Sequence, residues 1–186
     1  MPERSTSRPP AGNHDPGTRK GTARRPLYTP AERARRDATA WTTVQGLLAP
    51  AQFLVFAASL ILVLRYLWTG EGYGAATASI LVKTGFLYVI MVTGAIWEKV
   101  VFGQYLFAPA FFWEDVFSFV VIALHTAYLW ALWTGSVGHA GEMAIALAAY
   151  AAYVVNAAQF VWKLRMARLD AAAATARDTG VAGVRA

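Results

Sequence analysis

Long apolar runs separated by short polar stretches dominate the chain. Four such runs, at roughly 44–68, 78–97, 116–133 and 143–162, carry almost no charge. Each is near the ~20 residues that cross ~30 Å of hydrocarbon at 1.5 Å per residue, so the pattern predicts four transmembrane helices. Trp41, Trp68, Trp97, Trp113, Trp133 and Trp162 fall near the ends of these runs, where an interfacial aromatic belt places them. Pro50 sits one or two turns into the first run and either starts the membrane helix or kinks it. Upstream, Thr29, Pro30 and Glu32 form a helix-start signature. Threonine caps, proline suits the first helical position, and glutamate completes a capping box. A short basic helix through Arg33, Arg35 and Arg36 is expected to follow at the membrane surface, either merely solvated there or holding an anionic partner. The predicted architecture is all-α: a four-transmembrane-helix bundle over 26–169, a short N-terminal interfacial helix, and disordered termini at 1–25 and 170–186. Residues 1–25 are rich in Pro, Gly, Ser, Thr and Arg and cannot bury enough apolar surface to offset ordering. The C-terminal tail is alanine-rich and is expected to fade into disorder at the chain end.

Composition and charge narrow the class. The 186 residues are 56% hydrophobic and only 15% charged, with a net charge of +6, a balance that suits a membrane protein better than a soluble domain. The basic residues flank the apolar runs, which points to juxtamembrane anchoring in lipid and away from nucleic acid. Cysteine is absent and the histidines, His14, His125 and His139, lie far apart. Neither a thiolate site nor a clustered His/carboxylate metal centre is expected. The stretches 69–77 and 134–142 contain no Lys or Arg, whereas the N-terminal tail and Lys163, Arg165 and Arg168 are basic. By the positive-inside rule both termini and the loop between the second and third spans are cytoplasmic.

That loop holds the candidate chemistry. It carries Val100, Val101, Phe102, Tyr105, Leu106, Phe107, Phe111, Phe112 and Trp113, broken by Pro109. Such a loop is either an interfacial aromatic belt or a platform on which a large planar apolar ligand stacks. Glu98 ends the second span while Glu114 and Asp115 begin the third, so a hairpin can gather three carboxyls. Like charges in an apolar setting keep one acid protonated while another stays ionised, as an acid and base pair requires. The alternative is structural: Lys99 pairs with Glu98 or Asp115, and the acids favour a helix N-terminus through its dipole. His125 lies eleven residues beyond Glu114, which returns it to nearly the same helix face. It is either a helix–helix hydrogen-bond partner or a ligand and proton carrier. Tyr153, Asn156, Gln159 and Lys163 follow helical spacing on the fourth span and form a polar stripe expected to face the same cavity. Lys83, inside the second span, is expected to snorkel.

Longer strings carry a resemblance. Leu27-Tyr28-Thr29-Pro30, Trp41-Thr42 with Val44-Gln45-Gly46, Ile96-Trp97-Glu98-Lys99, Tyr105 through Asp115, and Ala123-Leu124-His125-Thr126-Ala127-Tyr128 resemble the vinyl bacteriochlorophyllide hydratases of phototrophic bacteria, over roughly 26–169. The resemblance implies a membrane hydro-lyase that adds water across the ring-A 3-vinyl group of chlorophyllide a or its bacteriochlorin counterpart, giving a hydroxyethyl group. It implies residence in the bacterial inner or intracytoplasmic photosynthetic membrane, with other enzymes of bacteriochlorophyll synthesis as candidate partners. Beside it stand a non-catalytic pigment carrier and a small transporter, the latter unsupported by any inverted repeat. For hydration the expected acid is Glu114 or Asp115, with Glu98 as alternative or as the base that activates water. His125 is expected to ligate the pigment's own magnesium or to position water. Lys99, Lys83 or a basic tail residue is expected to meet the propionate. Tyr105, Phe111, Phe112, Trp113, Asn156 and Gln159 are expected to line the pigment. No cofactor of the protein's own is called for.

Overall fold

The computed structural model describes residues 27–184, so the disorder expected for 1–25 lies outside the described residues. All regular structure among them is helical: α1 (Pro30–Ala38), α2 (Ala40–Thr69), α3 (Tyr73–Phe102), α4 (Phe112–Thr134) and α5 (Gly138–Val184). Four of these, α2, α3, α4 and the Gly138–Leu169 part of α5, are long and apolar enough to cross a membrane. The protein is a multi-pass, all-α membrane bundle. Leu47, Leu54, Ile61, Trp68, Val92 and Trp133 point outward along these helices, a surface that a soluble protein would hide and that lipid solvates.

The local signals explain the ends. Thr29 Oγ1 accepts from the Glu32 amide while the Glu32 carboxylate accepts from the Thr29 amide, completing the capping box of α1. Thr39 then caps α2 through the Trp41 amide. Pro50 lies inside α2, so it neither starts nor ends that helix. Beyond Leu169 the α5 backbone stays helical through the alanine-rich stretch to Val184, alanine being the strongest helix former.

At the end of α3, Gly103 adopts φ 86°, and its amide donates to the Lys99 carbonyl. Left-handed backbone disfavours any Cβ. No neighbour lies within 4 Å of a Cβ built there, so the cost of a side chain is purely conformational. Gly103→Val is expected to lower stability by roughly 1–2 kcal/mol, read as a lower melting temperature in detergent.

The helices form two antiparallel hairpins, α2–α3 and α4–α5, each tightly packed within itself and meeting the other through fewer backbone approaches. Bulky side chains fill the seam between them: Phe56 on α2, Ile80 and Leu87 on α3, Val121 and Tyr128 on α4, Tyr150 and Tyr153 on α5. A second cluster closes the end where α3 turns into α4, with Tyr28, Val101 and Phe111 buried against Trp97, Phe102 and Phe160. Around it, Arg35 Nε donates to the Val101 carbonyl (2.8 Å), Trp97 Nε1 to Thr42 Oγ1 (2.9 Å) and Gln45 Nε2 to Thr93 Oγ1 (2.7 Å). Arg35, expected on a basic surface face, is thus a staple between α1 and α3.

Candidate active site

The turn between α3 and α4 brings the three predicted acids together at one end of the bundle. Glu98, Glu114 and Asp115 are each only 5% exposed, so their partners decide what they can do. Glu114 Oε2 takes an ion pair from Lys163 Nζ of α5 at 2.5 Å. Lys163 Nζ also donates to the Ala110 carbonyl and lies 4.9 Å from the centre of the Phe111 ring. Asp115 Oδ2 accepts the Phe107 amide at 2.6 Å, and Glu98 Oε2 accepts the Ala108 amide at 3.2 Å. The carboxyls of Glu98 and Asp115 are themselves within hydrogen-bonding reach of each other.

The backbone held by these two acids is unusual. Phe107 has φ 59°, a left-handed conformation that a bulky residue rarely adopts and that costs of order 1–3 kcal/mol. The Asp115 and Glu98 carboxyls fix that conformation through adjacent amides. Both acids therefore hold the turn. Lys99 pairs with neither acid. Its Nζ donates to the Gly103 carbonyl (2.8 Å) and sits 5.2 Å from the centre of the Tyr105 ring.

The aromatic loop divides into two sets. Phe111 is 4% exposed and belongs to the inner cluster with Tyr28, Trp97, Phe102 and Phe160, so it is packing and not a free stacking surface. Tyr105, Phe107, Phe112 and Trp113 face outward. Phe107 stacks on Phe119 (5.6 Å, 12° between planes) and leans on Phe112 (5.7 Å). This outer apron adjoins Asp115, whose carboxylate holds the Phe107 amide.

His125 is not part of the carboxyl cluster. Eleven residues of rise separate it from Glu114 by roughly 16 Å along α4, although both face inward. It is fully buried, and its Nδ1–H donates to the Val121 carbonyl at 2.8 Å. Nε2 is left inside the bundle without a hydrogen-bond partner. Between the two centres, Asn156 Nδ2 donates to Ser118 Oγ at 2.9 Å, while Asn156 Oδ1 and Gln159 Oε1 are buried and unpartnered. The α5 polar stripe thus faces the bundle interior as expected, linking two separate centres.

Lys83 departs most from expectation. It does not snorkel: it is fully buried, with Nζ 3.9 Å from the centre of the Tyr153 ring. With its amide oriented to satisfy both ends, Gln52 donates to the Phe86 carbonyl (3.1 Å) and accepts from Lys83 Nζ (3.2 Å). The pattern held a signal for this, because Ile80, Lys83, Thr84 and Leu87 share the buried face of α3.

Two open surface grooves lie elsewhere. One of about 660 Å³ runs past Ala123, Ala127, Trp130 and Val137, and one of about 500 Å³ past Leu64, Arg65 and Trp68. Neither borders the carboxyls.

Comparison with known proteins bears on the family. The sequence model of one family, described as 2-vinyl bacteriochlorophyllide hydratase, matches residues 28–166. Two similar proteins bear that same name. One, from Cereibacter sphaeroides, is 79% identical over 150 residues, covering 81% of this chain and 93% of its own length. The other, from Rhodobacter capsulatus, is 71% identical over 157 residues, covering 84% and 91%. No solved structure matches the chain.

Proposed function

The chain belongs to the vinyl bacteriochlorophyllide hydratase family and is a hydro-lyase of bacteriochlorophyll biosynthesis, and from that premise we propose that the Glu98–Asp115 pair performs the acid–base chemistry. The observation that carries the proposal is the pairing of two carboxyls, buried from water, beside an outward-facing aromatic apron. A hydrogen bond between two carboxyl groups needs a proton on one of them, because an ionised carboxylate only accepts. Such a pair contains both a proton donor and a proton acceptor.

The reaction needs both. Proton transfer to the terminal vinyl carbon forms a C–H bond from the π electrons and leaves a cation on the carbon attached to the macrocycle, where conjugation spreads the charge. Water adds to that carbon through oxygen, and the second carboxylate takes the released proton. One water is consumed and the proton count closes. Hydration exchanges no electrons, so the proposal calls for no redox group and no resident cofactor; magnesium enters as part of the pigment. Glu114, its charge engaged by Lys163, is assigned to shape the turn. The ring is assigned to Phe107, Phe112 and Phe119, with Tyr105 and Trp113 at the membrane edge. His125 Nε2 and the Asn156 and Gln159 oxygens are the polar groups further along the seam, with Nε2 free to meet magnesium or a water.

The basic flanks support, by the positive-inside rule, a reading in which both termini and the α3–α4 turn are cytoplasmic in the bacterial inner or intracytoplasmic membrane, with other enzymes of the synthesis as proposed partners there. The test is hydration in D₂O. One deuterium is expected on the new methyl group, together with slower turnover than in H₂O. Equal turnover in D₂O and H₂O would overturn proton transfer to the vinyl carbon as the slow step.

A further inference from the structure

Lys83 is a fully buried amine with, among the described residues, no carboxylate to meet its charged form. Placing an ammonium in the interior of a membrane bundle costs several kcal/mol unless an opposite charge compensates it. Among the described residues no carboxylate forms an ion pair with it. Gln52 offers a single neutral oxygen, and Tyr153 offers a ring face. His125, whose ring centre lies 6.0 Å from that of Tyr150, presents a second unused valence at Nε2. Two open polar groups of complementary kind, a cation and a lone pair, thus face the same layer of the seam.

We propose that Lys83 is the anchor for the substrate's free carboxylate. The inference rests on the hydratase reading, since a bacteriochlorophyllide is by definition the unesterified acid. Its propionate leaves the macrocycle on a different pyrrole ring from the vinyl group, so one end can be held while the other reacts. Lys83 and Glu98 both face inward on α3, fifteen positions apart, or roughly 22 Å of rise. Lys83 Nζ reaches Gln52, which is bonded to Phe86, so the side chain leans toward the Glu98 end and shortens that gap. Asn156 and Gln159 line the interval on α5. For the propionate of a ring seated on the Phe107, Phe112 and Phe119 apron to reach Lys83, the side chains that fill the seam, Phe56, Tyr150 and Tyr153, have to part there. Gln52 would then hold Lys83 in place, and the pigment's acid would supply the missing charge.

The test compares the free-acid pigment with its methyl ester, in the wild-type protein and in Lys83→Met and Lys83→Arg. The wild type is expected to show a KM for the acid at least about tenfold below that for the ester, because an ion pair in a low-dielectric site is strong. Lys83→Met should raise KM for the acid about 30-fold or more and erase the preference, while Lys83→Arg should keep part of it. If Lys83→Met does not fold, the acid-to-ester ratio of Lys83→Arg decides, an unchanged wild-type ratio there overturning the anchor. Equal KM values for acid and ester in the wild type would overturn the anchor and leave the hydratase reading standing. An equal fall in kcat for both pigments would also overturn it, since that assigns Lys83 to the chemistry. If the wild type hydrates neither pigment, the hydratase reading itself fails and takes the anchor with it.

Discussion

Asp115→Asn lowers the hydration rate by about 100- to 10,000-fold, and Glu98→Gln does the same, the range that general acid–base groups supply. The amides keep the size of each side chain and an oxygen that can still accept from the Phe107 or Ala108 amide. The turn is therefore retained, and the titratable proton is what is lost. Because the two carboxyls lie within hydrogen-bonding reach of each other, the double variant should be no worse than the slower single one, as expected of groups acting as a unit. Glu114→Gln is the contrast, since that acid is committed to Lys163 and its loss should cost turnover far less. The measurement is kcat, followed by the blue shift of the long-wavelength band as the vinyl conjugation disappears. Near-normal kcat in folded Asp115→Asn and Glu98→Gln removes the carboxyl mechanism.

Lys163→Met destabilises the bundle by roughly 3–5 kcal/mol, the cost of stripping a partner from a buried charge. Glu114 is buried, and the only ion pair it makes among the described residues is with Lys163. The same ammonium satisfies the Ala110 carbonyl, so one substitution leaves two polar groups stranded and disconnects α5 from the α3–α4 turn. Lys163 is itself a quarter exposed, which lets water soften the loss and places the expected value at the lower end. Adding Glu114→Gln should restore much of the stability, because the orphaned charge is then gone. Denaturant titration in mixed micelles across the four-variant cycle reads the coupling. A coupling under about 1 kcal/mol would class the pair with ordinary surface ion pairs.

The sequence disclosed most of the architecture and part of the site. The apolar runs, the tryptophans at their ends and the Thr29–Glu32 capping box all read correctly, because each is a local pattern with one dominant physical cause. The gathering of Glu98, Glu114 and Asp115 also followed from a short turn joining two spans. Helical periodicity gave His125 the right face, and the same eleven-residue count, taken as rise, already separated it from Glu114 by roughly 16 Å. Depth was harder at Lys83: snorkelling is the default for a lysine near a helix end, and only the third dimension shows that α2 and α5 close over it. Phe111 packs inward against Tyr28, a placement that aromatic composition cannot distinguish from one that faces lipid. The alternative that paired Lys99 with Glu98 or Asp115 does not hold, because adjacency in sequence to Glu98 is not adjacency in space on a helix. The Phe107 backbone left no trace in the sequence, since no glycine marks it.

That backbone limits how the molecule can vary. The left-handed residue sits a fixed number of positions before the carboxylate that restrains it, so adding or deleting one residue between Gly103 and Phe111 would slip the amides past their acceptors and swing the proton donor away from the alkene. Length polymorphism among natural variants should therefore gather in 69–77 and 134–142, at the far rim of the bundle, while the inner turn keeps a constant residue count even where its side chains diverge.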